Sequence, residues 1–124
     1  MRKLSRTKEF IKLLLEEVNK LYTCYYEEAP KDASYPYLVI PTLNISSLDS
    51  GDQCFVDIEI YSSEFTSVSV EDICDDLRNY LTGLSICKSN IGFHLGFENQ
   101  NISKINEQDL IPRKVSFSAR IFSI

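Results

Sequence analysis

Few residues in this chain could do chemistry: one histidine, His94, four cysteines, and the carboxylates Asp72, Asp75 and Asp76. His94 lies between Phe93 and Leu95, and their alternation predicts a strand with the imidazole on its non-core side. A general base needs a nucleophile and an orienting group within hydrogen-bond reach, and no local spacing marks such partners. Cys87 precedes His94 by seven positions, but a Cys/His pair is defined by geometry and not by that interval. His94 is therefore expected to be a surface or packing residue. Cys24, Cys54, Cys74 and Cys87 form no Cys-x-x-Cys pair, so they signal neither a zinc knuckle nor a redox motif. Free thiols are expected. The three aspartates fall early in a predicted helix, where the helix dipole favours anions, and they lack the alternation around glycine that a calcium loop requires. The four glycines build no phosphate-binding loop. A non-enzymatic protein without metal or cofactor is the expectation.

The 124 residues suit one domain, 44% hydrophobic and 25% charged, which is an ordinary globular balance. The longest apolar run, Leu13-Leu14-Leu15, is too short to span a bilayer. No signal-length apolar stretch follows the basic Arg2, Lys3, Arg6 and Lys8. A soluble protein made in the cytoplasm is expected, and the sequons at Asn44 and Asn101 then mark only turn or strand residues. The net charge of −5 is unevenly spread: residues 1–26 carry +3, residues 27–87 carry −10 and residues 88–124 carry +2. An acidic middle opposes a nucleic-acid grip, which needs cations at phosphate spacing. It leaves a solvated acidic face or charge complementarity with a partner or another copy.

These residues are positioned by seven predicted elements. Phe10, Ile11, Leu14, Leu15, Val18 and Leu21 recur at helical spacing and predict an amphipathic helix over about 7–21. Its mixed polar face, Lys12 and Lys20 beside Glu16 and Glu17, argues against lying on a membrane. A Tyr/Thr-rich stretch over 22–27 favours a strand, and Pro30 breaks it. A second strand runs over 35–40, with Pro36 at its start. Residues 44–53 read as a polar loop. Over 54–62, Val56, Ile58 and Ile60 alternate with Asp57, Glu59 and Tyr61, a half-buried strand with an acidic outer face. Ser69 caps a second helix with Val70, Ile73, Leu77, Tyr80 and Leu81 on one side and Gly83 after its end. Strands over 91–101 and 113–122 follow, separated by a break at 109–112. The fold class expected is α+β: a single mostly antiparallel, mixed sheet of about five strands with two helices packed on one face.

Seven Tyr and seven Phe with no Trp leave aromatic rings on faces that should be wet. Either the sheet is covered on both faces within the monomer, or neighbouring subunits bury one face or edge. Tyr26, Phe55, Tyr61, Arg120 and Phe122 are the candidates for a subunit interface.

The amphipathic helix is followed by Tyr25-Tyr26-Glu27-Glu28-Ala29-Pro30 and by Ala33-Ser34-Tyr35-Pro36-Tyr37-Leu38-Val39-Ile40. Then come the acidic strand Val56 to Tyr61, the helix Val70 to Leu81 and the closing segment Arg113 to Phe122. In that order the chain resembles the tail-completion (tail-terminator, tail-to-head joining) proteins of long-tailed bacteriophages and prophages, over nearly its whole length. The resemblance implies a mixed sheet flanked by helices and a ring of subunits, commonly a hexamer. Such a ring caps the tail tube, stops its growth and offers a docking face to the head. It implies copies of the chain itself, a tail tube protein and a head-completion protein as partners, with no sequence-specific nucleic-acid binding and no membrane. The places implied are the host bacterial cytoplasm during assembly and the virion tail or neck. It carries no catalytic residues. An acidic loop with Asp49 and Asp52 would suit a ring lumen through which DNA slides, since like charge repels phosphate. Other readings are a different head–tail connector or minor tail component, a cytosolic small-ligand or peptide-binding module, and a cysteine-dependent enzyme.

Overall fold

The computed structural model describes residues 6–41, 43, 45–48, 51–62, 69–88, 91–102 and 113–123. Among these residues two helices, α1 (Arg6–Asn19) and α2 (Val70–Leu81), accompany seven strands. These are β1 (Cys24–Tyr26), β2 (Tyr37–Ile40), β3 (Ile45–Leu48), β4 (Gly51–Tyr61), β5 (Ser85–Lys88), β6 (Ile91–Ile102) and β7 (Arg113–Ser123). The fold is α+β with one mixed, mostly antiparallel sheet in the order β1-β2-β4-β7-β6-β5, and β3 pairs with β4 beside β2. Among the described strands β1 and β2 run parallel and every other pair is antiparallel.

Two strands exceed the five expected. Within the predicted polar loop at 44–53, Ile45–Leu48 instead form β3 and Gly51 starts β4, paired from Ile45↔Cys54 to Leu48↔Gly51. Ser46 and Ser47 carry no hydrophobic alternation, so only the zipper against β4 makes that segment a strand. β5 has an equally weak signature, with Ile86 its single half-buried apolar residue between exposed neighbours. It is held by β6 across Ser85↔His94 to Lys88↔Ile91.

Both helices cover the same face of the sheet. Phe10, Leu14, Val18, Ile73, Leu77 and Leu81 share one core cluster with Leu38, Ile58, Phe93 and Phe117. Phe10 meets Phe93 edge to face with ring centroids 5.0 Å apart, an arrangement worth about 1 kcal/mol beyond its burial. The α1 stripe is rotated from its expected position. Leu13 is buried, whereas Ile11 and Leu15 stay half-exposed.

The helix ends are set by local polar bonds. Ser69 Oγ accepts from the Asp72 amide at 3.1 Å and caps α2 as its sequence predicts. At the other end Gly83 adopts φ +79°, and its amide donates to the Leu95 carbonyl at 2.8 Å, tying the helix exit to β6. Two phenols clip α1 and the turn after it to α2: Tyr80 donates to Glu17 at 2.6 Å and Tyr22 to Asp76 at 2.5 Å.

The β1 edge of the sheet is blunted. The Asn19 carboxamide accepts from the Cys24 amide at 3.0 Å and donates to its carbonyl at 3.2 Å, as a neighbouring strand would. Just beyond, Glu27 takes φ 71° and the Glu28 amide returns to the Tyr26 carbonyl at 2.9 Å. A further chain cannot pair with Cys24 while Asn19 is there.

Asn19→Ala is expected to cost about 1–3 kcal/mol, because Cys24 loses both partners. Chemical denaturation measures the loss, and an unchanged midpoint would show that water replaces the amide without cost. The Tyr80 hydrogen bond is the main reason the Glu17 carboxyl titrates below 4.5, with Lys20 assisting and burial opposing. The resulting stability is present above pH 4.5 and is lost as pH falls through the depressed value. Tyr80→Phe should therefore lower the melting temperature most at neutral pH, with the difference from wild type shrinking in acid.

Candidate assembly surface

Alternation along β4 sends Val56, Ile58 and Ile60 under the helices and sends Phe55, Asp57, Glu59 and Tyr61 to the opposite face. Cross-strand register completes that second face. Phe55 stands opposite Ser118, Asp57 opposite Ser116 and Glu59 opposite Lys114. Ser118 stands opposite Gly96, Arg120 opposite His94 and Phe122 opposite Gly92. Among the described residues no helix covers this face. Phe55 is 58% exposed and Tyr35 43%, whereas Val39 and Ser116 on the same face are buried.

At the β1–β2 end, tyrosines form a stack. Tyr35 and Tyr37 lie nearly parallel with centroids 5.5 Å apart, Tyr37 and Tyr61 likewise at 5.2 Å, and Tyr25 meets Tyr37 at its edge at 5.9 Å. Val39 is buried beneath this group, at the position paired with Tyr25 and Glu59. The Tyr35–Pro36 peptide is cis. Tyr61 donates to Glu59 at 3.0 Å, and its phenol is pushed up to about 12 by burial, then by that bond. Burial also raises Tyr37. Both phenols stay protonated at neutral pH, offering polar tips on apolar rings.

The centre of the face is small and charged. Ser116 donates to Asp57 at 2.7 Å, and Lys114 lies 3.9 Å from the same carboxylate. At the far end the Phe122 ring covers Gly92, where a Cβ would stand 2.6 Å from its edge, with Cys87 Sγ also close at 3.1 Å. Only glycine fits at position 92 without displacing that ring.

The five candidate interface residues do not form one surface. Phe55, Tyr61, Arg120 and Phe122 belong to the open face. Tyr26 is on the other side, half-buried against the core, with its phenol oxygen accepting from the Leu43 amide at 3.5 Å. With Ile11 and Leu15 it lines a groove of about 570 Å³ along α1, bordered by Lys8, Lys12 and Glu16. Asp52, the second residue of β4, pairs with Ser47 and Ile121, stands on the same side of the sheet as Cys54 and is half-buried. Asp49 lies outside the described residues. The tyrosine stack and the groove escaped sequence reading, although Tyr35 and Tyr37 were visible as an alternating pair.

His94 Nδ1 lies 2.6 Å from Ser85 Oγ, a partner with no sequence signal because β5 carries no hydrophobic alternation. The residue opposite His94 on its other flank is Arg120, not a carboxylate that would orient a general base. Among the described residues no group of three His, Cys, Asp or Glu could hold a metal ion, and no helix is long and apolar enough to cross a membrane. Burial pushes the Cys24 thiol up to about 12, burial and then Asp52 push Cys54 to about 11, and burial raises Cys74. Such thiols are poor nucleophiles. Cys87 alone is exposed.

Alkylation of the folded protein near neutral pH should accordingly modify Cys87, while Cys24, Cys54 and Cys74 react only after unfolding. Mass spectrometry of tryptic peptides reads the pattern, and rapid labelling of a buried thiol would contradict it.

No protein-family model matches the sequence, and no curated protein does. In fold the chain is similar to a protein chain from the virion of a native gene transfer agent particle. The TM-score is 0.62 over 94% of this chain and 91% of that one, at 13% sequence identity.

Proposed function

We propose that this chain is a structural, non-enzymatic component of a phage-like particle, and within it a tail-completion subunit. The observation that carries the reading is the whole-length likeness in fold to a chain from a gene transfer agent virion. The uncovered sheet face adds support, because exposed Phe55 and the tyrosine stack suit burial between protein subunits. Several copies form a ring, commonly a hexamer, on the end of the tail tube. One side of the ring meets the tube protein and the other meets a head-completion protein. The subunit is made in the bacterial cytoplasm and ends in the tail or neck of the particle. Nothing in this role needs a cofactor. The Ser85–His94 contact then serves to hold β5 on β6, and the whole chain acts as one domain.

Deleting the gene from its particle-producing host is expected to give tails of uncontrolled length or tails without heads. Electron microscopy of the lysate shows either outcome directly. Particles with heads joined to tails of normal length would sink this reading.

A further inference from the structure

The two ends of the sheet differ. At β1 the Asn19 carboxamide already holds both backbone groups of Cys24. At the other end of the strand order, β5 pairs with β6 alone. The phase of that pairing decides which backbone groups are left over. The Leu95 amide donates to the Leu84 carbonyl at 2.9 Å. In an antiparallel ladder, successive residues turn their N–H and C=O groups first toward one side and then toward the other. Ile86 and Lys88 therefore bond to Phe93 and Ile91, while Ser85 and Cys87 turn their backbone groups outward. Among the described residues no backbone partner meets those outward groups. Ser85, Cys87 and Lys88 are exposed, Ile86 is half-buried, and β5 contains no proline. Such an edge is a template for another strand.

The outward groups are symmetric about Ile86, which makes the edge complementary to itself. We infer that a second copy of this chain pairs its β5 with this one, antiparallel, across a two-fold axis at Ile86. Ser85 of each copy then lies opposite Cys87 of the other. Each of these pairs exchanges both backbone hydrogen bonds, so no group on either edge is left over. Ile86 packs beside the core, and the axis brings it against Ile86 of the neighbour in the close, non-hydrogen-bonded kind of pair. The one charge of the strand, Lys88, is at its end. The two lysines therefore stand about 14 Å apart and do not oppose the pairing. A copy cannot offer β1 instead, because Asn19 occupies that edge at Cys24. The contact closes after two copies, so it is separate from one that builds a ring and does not depend on the tail-completion reading. The strand has 4 residues, and its pairing buries well under the roughly 1,000 Å² of a stable interface, so the pair is weak.

Two full-length proteins test the register: the natural chain, with Cys87 exposed, and a Ser85→Cys, Cys87→Ser variant. Positions 85 and 87 face each other across the axis. Two residues at 85, or two at 87, are about 8–9 Å apart at Cα, beyond the roughly 7 Å limit of a disulfide. Under mild oxidation the mixture should form a disulfide-linked dimer about tenfold faster than either protein alone. A second arm compares Cys87→Pro with Cys87→Ser. Proline removes one outward amide and leaves the bonds to β6 intact, so it should weaken self-association by about tenfold or more in sedimentation equilibrium. Each arm decides the matter if a variant in the other fails to fold. Equal crosslinking by the mixture and by either protein alone would overturn the contact. So would a Cys87→Ser protein that stays monomeric at about 1 mM, or equal association of the two Cys87 variants.

Discussion

β4, β7 and β6 form a continuous antiparallel ladder, with β4 and β7 matched from Asp52↔Ile121 to Ile60↔Arg113 and β6 and β7 matched from Ile91↔Ser123 to Ile102↔Arg113. Its register is the constraint on which the remaining structure depends. A slip by one residue would put Asp57, Glu59 and Lys114 under the helices and lift Val56, Ile58 and Val115 into water. The desolvation of unpaired charge makes that alternative prohibitive. Only one irregularity is tolerated, a register shift between Phe97 and Asn99 near the end of β6. There Arg78 of α2 lies over the Phe97 ring at 4.3 Å, and Phe97 meets Phe117 edge to face at 5.9 Å.

With one face committed to the core, the helices must be held on that face and the open edges managed. Leu77, Leu81, Phe10 and Val18 supply the apolar surface, while named polar contacts set position. Tyr22 and Tyr80 join the α1 region to α2, and Glu71 of α2 pairs with Arg113 of β7. Asn19 closes the β1 edge, so the extended chain of a partner is not invited there. The remaining apolar features, the Phe55 side of the sheet and the α1 groove, are surfaces rather than edges, suited to side-chain packing between folded subunits.

Much of the architecture could be read from the residues because the signals were local. The Ser69 cap, Gly83 at the helix end, and the alternations of Val56 to Ile60 and of Val115 to Ile121 each reflect chemistry within a few residues. β3 and β5 escaped because their pairing energy comes from distant strands and their own residues show no alternation. Periodicity places Ile11 and Leu15 in the α1 stripe, yet it sets the stripe only to within one residue of rotation. Leu13 took the buried place once the helix met β6 and β1. His94 was correctly an outward residue, but its partner Ser85 sits on one of the two strands the pattern concealed.

The sequence by itself determined that the sheet would have an apolar side and an acidic, aromatic side, because alternation is a property of the strand alone. It also showed that the four cysteines form no Cys-x-x-Cys pair and that Asp72, Asp75 and Asp76 lack the spacing of a calcium loop. That both helices would pack on one side was already expected from the order of the elements; the tertiary structure decided that Phe55 on the other side would be 58% exposed. It alone separated Tyr26 from the other candidate interface residues by the thickness of the sheet and joined Ile11, Leu15 and Tyr26 into a groove. These are outcomes of long-range packing, in which the position of each helix depends on every strand beneath it, and no window of the chain contains that information.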